Sequence, residues 1–166
     1  EKVDMLRRHG CRDKYYHMIP GYNSRLDTIQ AAVLRVKLEY LQEWNAQRCE
    51  KAYLYSELFN SIEGIQTPYQ APYNRHVFNY YTIRLNNGFN NRSELQQSLK
   101  SQGIASAVYY PVSLHLQQAY TSCGYRKGDF PESERAQEEV LSLPIYPELR
   151  DEQVEQTVQA IKQDVK

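Results

Sequence analysis

The sequence predicts an α+β fold in which one long helix leads into a small, mostly antiparallel sheet covered by helices. Three observations carry that prediction. Apolar residues recur at helical spacing from residue 26 to residue 62 with no Pro or Gly between them. Apolar and more polar residues alternate at 77–85 as in a half-buried strand. Short helical and extended stretches then follow one another to the C-terminus, separated by Gly and Pro. A chain of 166 residues is long enough to bury a core of ordinary domain size.

The elements follow in order. "EKVDMLRRHG" reads as the end of a helix, with Arg7 and Arg8 in its last turn and Gly10 as its stop; no helix start precedes it, so the chain is expected to be cut from a longer one. In "GYNSRLDTIQAA", residues 21–32, Ser24 suits an N-cap and Asp27 completes a capping-box-like pair, which places a helix start at Arg25. Free backbone N–H groups there, with the Asn23 amide and the Arg25 guanidinium, form a candidate cradle for a phosphate or carboxylate. The same residues also describe a capped helix bearing a surface arginine, and capped helices far outnumber anion sites.

From that start Leu26, Ile29, Val33, Val36 and Tyr40 recur every three or four residues, and Leu34, Leu38 and Leu41 widen the stripe. The pattern continues through Trp44, Ala52, Tyr55, Leu58, Phe59 and Ile62, so helix is expected to about Ser61, with a bend near Gln42. At ~1.5 Å per residue such a helix spans more than 50 Å, too long for one small core to cover, and it must lean on another domain or subunit.

After the loop "TPYQAPYNR", "HVFNYYTIRL" reads as a strand and "NNG" at 86–88 as its closing turn. A helix over 92–101 should stop at Gly103, and "IASAVYY" at 104–110 should form a second strand ended by Pro111. "SLHLQQAY" reads as a brief helix, Pro131 opens a helix through Glu139, and "VLSLPIYP" offers a short strand. The tail, Asp151 to Val165, is an amphipathic helix with Val154, Val158, Ile161 and Val165 on one face.

Composition narrows the function classes. Twenty basic residues balance twenty acidic ones, so no net field draws the chain to nucleic acid or to an anionic membrane. No apolar run approaches the ~20 residues of a membrane span, and the charged start is unlike a signal peptide, so a cytoplasmic protein is expected. Cys11, Cys49 and Cys123 are odd in number and widely spaced, which argues for free thiols against a disulfide framework or a zinc site; no metal is expected. Fifteen tyrosines beside a single Trp suit the walls of a cleft or an interface, or simply half-buried surface.

Local catalytic signatures are missing: there is no G-x-S-x-G, no HExxH and no Gly-rich phosphate loop. Among single residues, His9 and His17 flank the first loop, His76 opens a strand and His115 lies in "YYPVSLHLQ"; each could move protons near neutral pH or serve only as a surface or capping residue. Arg48 and Arg84 could hold a carboxylate or phosphate, or form ordinary ion pairs.

Taken together, "LRRHG", "GYNSRLDTIQAAVLRVKLEYL", "YYPVSLHLQQAY" and "FPESERAQEEVLSLPIYPEL" resemble, in this order and spacing, the C-terminal part of the DegT/DnrJ/StrS sugar aminotransferases. The resemblance covers nearly the whole chain, and its two most specific blocks are G-x-N-x-R-x-D with Q-A-A, and L-S-L-P-x-Y-P. It implies a fold-type-I pyridoxal phosphate enzyme, a homodimer that moves an amino group, usually from glutamate, onto a keto sugar carried by a nucleoside diphosphate. Residues 1–63 would then be the end of the large domain, an active-site loop and the interdomain helix, and 64–166 the small domain. Asn23, helped by Arg25, would reach the phosphate of the cofactor bound mainly by the other subunit. Tyr110, Pro111 and His115 would lie near the sugar nucleotide, although Ser113 stands where the family usually has a proline. The Schiff-base lysine, the acid facing the pyridine nitrogen and the stacking aromatic would all precede "LRRHG", so no catalytic residue is assigned within the chain, which alone should be inactive. A related sugar dehydratase, with His in place of that lysine, and a non-catalytic association or regulatory module are the alternatives.

Overall fold

The computed structural model describes residues 1–13, 15–86 and 92–164, and the chain divides into two compact units, Glu1–Gln42 and Glu43–Lys166. The division after residue 63 expected from sequence would group the whole long helix with the first unit. Compactness instead groups its C-terminal part with the second, because Ala52, Tyr55 and Phe59 belong to that unit's core.

In the first unit, helix α1 (Lys2–Arg7) ends as expected, with His9 and Gly10 in the left-handed region at φ 61° and 75°. A small hairpin of β1 (Cys11–Asp13) and β2 (Tyr16–His17) follows, which the sequence pattern did not announce: two strands this short carry no measurable alternation. The returning chain then lies along the end of α1. Tyr22 N–H donates to Leu6 O at 2.7 Å, Ser24 N–H to Arg7 O at 2.9 Å and His9 N–H to Tyr22 O at 2.9 Å, while Asn23 bridges Arg8 in antiparallel fashion.

Helix α2 (Thr28–Phe59) therefore begins three residues later than the sequence reading placed it. Ser24 is not its cap. The Ser24 backbone is committed to extended pairing, and Asp27 takes the capping role by accepting the Ile29 N–H at 2.8 Å. The helix's apolar stripe divides sharply. Ile29, Val33, Leu34, Val36 and Leu38 are all more than half exposed, whereas Ala52, Tyr55 and Phe59 are buried. Its end at Phe59 falls just short of the expected Ser61.

The second unit is a three-stranded antiparallel sheet in the order β3 (Ile65–Gln66), β4 (Tyr81–Leu85), β5 (Val140–Leu143). Register pairs Ile65 with Leu85 and Tyr81 with Leu143. Along β4 the period of two sends Tyr81, Ile83 and Leu85 into the core. Helices α3 (Arg92–Ser101), α4 (Pro131–Glu139) and α5 (Asp151–Asp164) complete the unit, with Leu95 and Leu99 of α3 and Val154, Val158 and Ile161 of α5 joining the same core. The Tyr55 and Tyr81 rings stack at 4.9 Å in its centre.

Two strand expectations are corrected. The strand read from 77 starts only at Tyr81, because Phe78 sits at φ 46° and its N–H donates to the His76 ring Nδ1 at 2.9 Å, taking that segment off the ladder. The strand read at 104–110 reduces to one bridge, Ala107 with Ser142. The brief helix at "SLHLQQAY" forms as two 3-10 turns, Leu114–Leu116 and Gln118–Cys123. The turn read at 86–88 falls largely, and Val165 wholly, outside the described residues.

Candidate functional site

The first unit's site grows from a close backbone crossing. Gly10, at positive φ, presses against the carbonyl of Ile19, and Gly21 against the backbone nitrogen of Gly10; a Cβ on either would fall 1.7 and 2.1 Å from those atoms. This crossing delivers Tyr22–Arg25 beside the end of α1. Arg25 joins Arg8, His9, Cys11, Arg12, Asp13, Tyr15 and His17 around an open cavity of about 530 Å³. Three guanidiniums and two imidazoles face one carboxylate, so the cavity favours an anion. Arg8 is steadied by Asp4, 3.0 Å from its Nη2. His17 Nδ1 lies 2.9 Å from the His9 carbonyl and 3.2 Å from Cys11 Sγ, which fixes the ring across the hairpin.

Asn23 and Arg25 are thus placed on an extended segment ahead of the helix, not on its first turn. The N–H groups expected to meet an anion at that turn are partly taken, since the Asp27 carboxylate already occupies the helix's positive end. The positive charge of the site comes from arginines. Asn23 is bridged to Arg8 but is not among the cavity's lining residues.

In the second unit Tyr110, Pro111 and His115 share one loop but not one environment. Tyr110 is 71% exposed, and its neighbour Tyr109 packs against Tyr80 with ring centres 4.2 Å apart. The His115 side chain is only 7% exposed, its Nε2 lies 2.9 Å from Glu134 Oε1 and its ring lies against Phe130 at 4.8 Å. Glu134 also accepts the Gly128 N–H at 2.7 Å. That amide, ahead of the His115 ring, holds the Glu134 carboxyl below its usual range.

The remaining candidates serve the structure. Arg84 Nε stands 2.7 Å from Glu139 Oε2 but off the hydrogen-bond direction, an ionic contact rather than a ligand arm. Arg48 donates to the Val77 carbonyl and Asn45, and Cys49 donates to the His76 carbonyl at 3.1 Å. The three cysteines are free thiols. Arg12 and Glu134 escaped the sequence reading, and Arg8 was legible only as the basic end of a helix. Their roles depend on which loop folds back on them, a long-range fact with no local spacing.

Comparison with known proteins gives consistent matches. The DegT/DnrJ/EryC1/StrS aminotransferase family matches residues 1–162. A pleiotropic regulatory protein of Geobacillus stearothermophilus is 47% identical over 97% of the chain and 43% of its own length. The dTDP-3-amino-3,4,6-trideoxy-alpha-D-glucose transaminase of Streptomyces venezuelae is 38% identical over 98% of the chain and 42% of its own length. Among solved structures, S. venezuelae DesV in complex with a ketimine intermediate superposes with a TM-score of 0.89 at 38% identity, over 98% of the chain and 43% of DesV. An aminotransferase from Brucella abortus gives 0.85 at 33%, over 98% and 42%. The chain spans less than half the length of these relatives. Matched over nearly all its residues, it belongs to the DegT/DnrJ/EryC1/StrS aminotransferase family.

Proposed function

We propose that the chain is part of a pyridoxal phosphate-dependent sugar aminotransferase, which transfers an amino group from glutamate to a keto sugar carried by a nucleoside diphosphate in the cytoplasm. Family membership over residues 1–162 carries the reading, and relatives that are sugar transaminases by name support it. The cofactor, when bound, supplies an electron sink for the carbon that exchanges the amino group. The donor set fits its phosphate: Arg8, Arg12 and Arg25 line one cavity, and the Asn23 amide lies on the same segment as Arg25.

Each residue then has a physical task. The arginines hold the phosphate and keep the ring from rotating out of register with the substrate. Exposed Tyr110, with Pro111, offers a stiff apolar surface and a hydroxyl to the sugar nucleotide. His115 keeps that loop in shape from below through Glu134. We assign the Schiff-base lysine to the part of the enzyme that these 166 residues do not span, so that the chain supplies binding and orientation and the rest of the enzyme the anchor. An exposed apolar stripe over Ile29–Leu38 is the surface a homodimer partner would cover.

The test uses the full-length enzyme. Bound cofactor should give visible absorbance, and glutamate with a dTDP- or UDP-linked keto sugar should yield 2-oxoglutarate and an amino sugar. A full-length protein that neither holds the cofactor nor releases 2-oxoglutarate refutes the reading.

A further inference from the structure

We propose that Gln137, with Ser133 and Glu134 beside it on α4, positions the loop that carries Tyr110, doing by hydrogen bonding at Ser113 what a proline ring would do covalently. The proposal rests on the assignment of Tyr110 to sugar-nucleotide binding.

Ser113 is 5% exposed, an unusual depth for a serine in a loop. Its backbone stands at φ −58° and ψ 142°, the polyproline region, with φ at the value a pyrrolidine ring enforces. Two side chains four residues apart on α4 hold it there. Gln137 Oε1 accepts the Ser113 N–H at 2.6 Å, and Ser133 Oγ donates to Ser113 Oγ at 3.2 Å. One residue beyond Ser133, Glu134 accepts from His115 and from the Gly128 amide, tying the Tyr110 loop to the neighbouring turn through one carboxylate. The Ser113 carbonyl closes the arrangement by accepting the Leu116 N–H at 2.9 Å. The tethers from α4 lie on the buried side of the loop, three to five residues after Tyr110, while Tyr110 itself faces outward. The orientation of an exposed ring is set by the backbone that leads to it, so the clamp governs how Tyr110 meets a ligand.

The contrast between serine and proline makes the proposal testable. Serine keeps the N–H that Gln137 needs, whereas proline would fix φ and remove that N–H. In the full-length enzyme, Gln137→Met keeps the side-chain volume and removes the acceptor. It should speed amide exchange in a peptide covering 109–117 about tenfold and weaken dTDP or UDP binding about fivefold, with cofactor absorbance unchanged. Gln137→Glu, made together with Glu138→Gln because Gln137 Nε2 donates to Glu138 Oε1 at 3.0 Å, retains an acceptor and should restore both. Ser113→Pro puts the ring Cδ where the N–H met Gln137 Oε1, so Gln137 must turn aside; with φ held by the ring, the variant should bind within about twofold of wild type and make Gln137→Met silent. Unchanged exchange in Gln137→Met, failed rescue by Gln137→Glu, or an equal loss in the Ser113→Pro background overturns the proposal. Should wild type bind neither nucleotide while Gln137→Met still accelerates exchange, the nucleotide-site reading is what fails, and the positioning role falls with it.

Discussion

The backbones of Gly10 and Gly21 cross so closely that a Cβ on Gly21 would sit 2.1 Å from the Gly10 nitrogen. No Cβ occupies such a position without moving backbone. The crossing holds Tyr22, Asn23 and Ser24 against Leu6, Arg7 and Arg8. Gly21→Ala is therefore expected to cost on the order of 1–3 kcal/mol and to loosen residues 22–25. Amide exchange at Tyr22 and Ser24 is the measurement; protection equal to wild type would contradict the packing described.

Asp27, not Ser24, caps α2, and this separates two substitutions that the sequence would rank the other way. Asp27→Ala removes the acceptor of the Ile29 N–H and is expected to lose about 1 kcal/mol of stability. Ser24→Ala leaves the Ser24 N–H bond to Arg7 O intact and should shift stability by less than about 0.5 kcal/mol. Denaturant unfolding of both variants checks the pair. A larger loss at Ser24 would restore the earlier helix start.

That pair also shows where the sequence was legible. The long helix, the helices from Arg92, Pro131 and Asp151, the strand around Ile83 and the strand "VLSL" all followed from periodicity and from Pro or Gly boundaries, because those signals are local. Ser24, Arg25 and Asp27 offer competing local chemistry for the cap, and Arg7, which captures the Ser24 amide from seventeen residues away, decides between them. The stretch 104–110 differs from its sequence pattern for a related reason. Its composition suits a strand, but only Ala107 finds a partner, Ser142. Asn23, Arg25 and Tyr110 came from motif order, whereas Arg8, Arg12 and the Glu134 tether come into view only once loops are folded.

The buried tyrosines give the second unit a defined alkaline limit. Burial pushes both the Tyr55 and Tyr81 phenols up to about 12, against an ordinary value of 10. Between those values the unfolded chain releases protons that the fold retains. Stability is thus fully present below pH 10 and falls as pH rises toward 12, by about 1.4 kcal/mol per pH unit for each tyrosine. Tyr55→Phe removes one titration and should roughly halve the slope. It also releases the Pro144 carbonyl, lowering stability at neutral pH by about 1 kcal/mol. Tyr73→Phe, at a side chain 94% exposed, should change neither. Guanidinium midpoints measured from pH 8 to 12 provide the test, and identical slopes for Tyr55→Phe and wild type would refute it.

The last prediction concerns which subunit Asn23 serves. Asn23 lies on the segment that ends at Arg25, whose side chain lines a cavity with Arg8 and Arg12, so the segment carries positive charge to that cavity, the feature on which the proposed phosphate contact rests. If that anion is the phosphate of the neighbouring subunit's cofactor, loss of the Asn23 amide should weaken cofactor retention by roughly 1.5–3 kcal/mol, about ten- to a hundredfold. Two inactive full-length variants discriminate the arrangements: one carries Asn23→Ala with Arg25→Ala, the other lacks the Schiff-base lysine. When Asn23 acts across the interface, a mixed dimer gathers both lesions at one site and leaves the other whole, so about half of wild-type activity per dimer should return. When it acts within its own subunit, each site keeps one lesion and the mixture stays inactive. Verified mixed dimers without activity would therefore rule out the cross-subunit role and leave Asn23 serving its own chain.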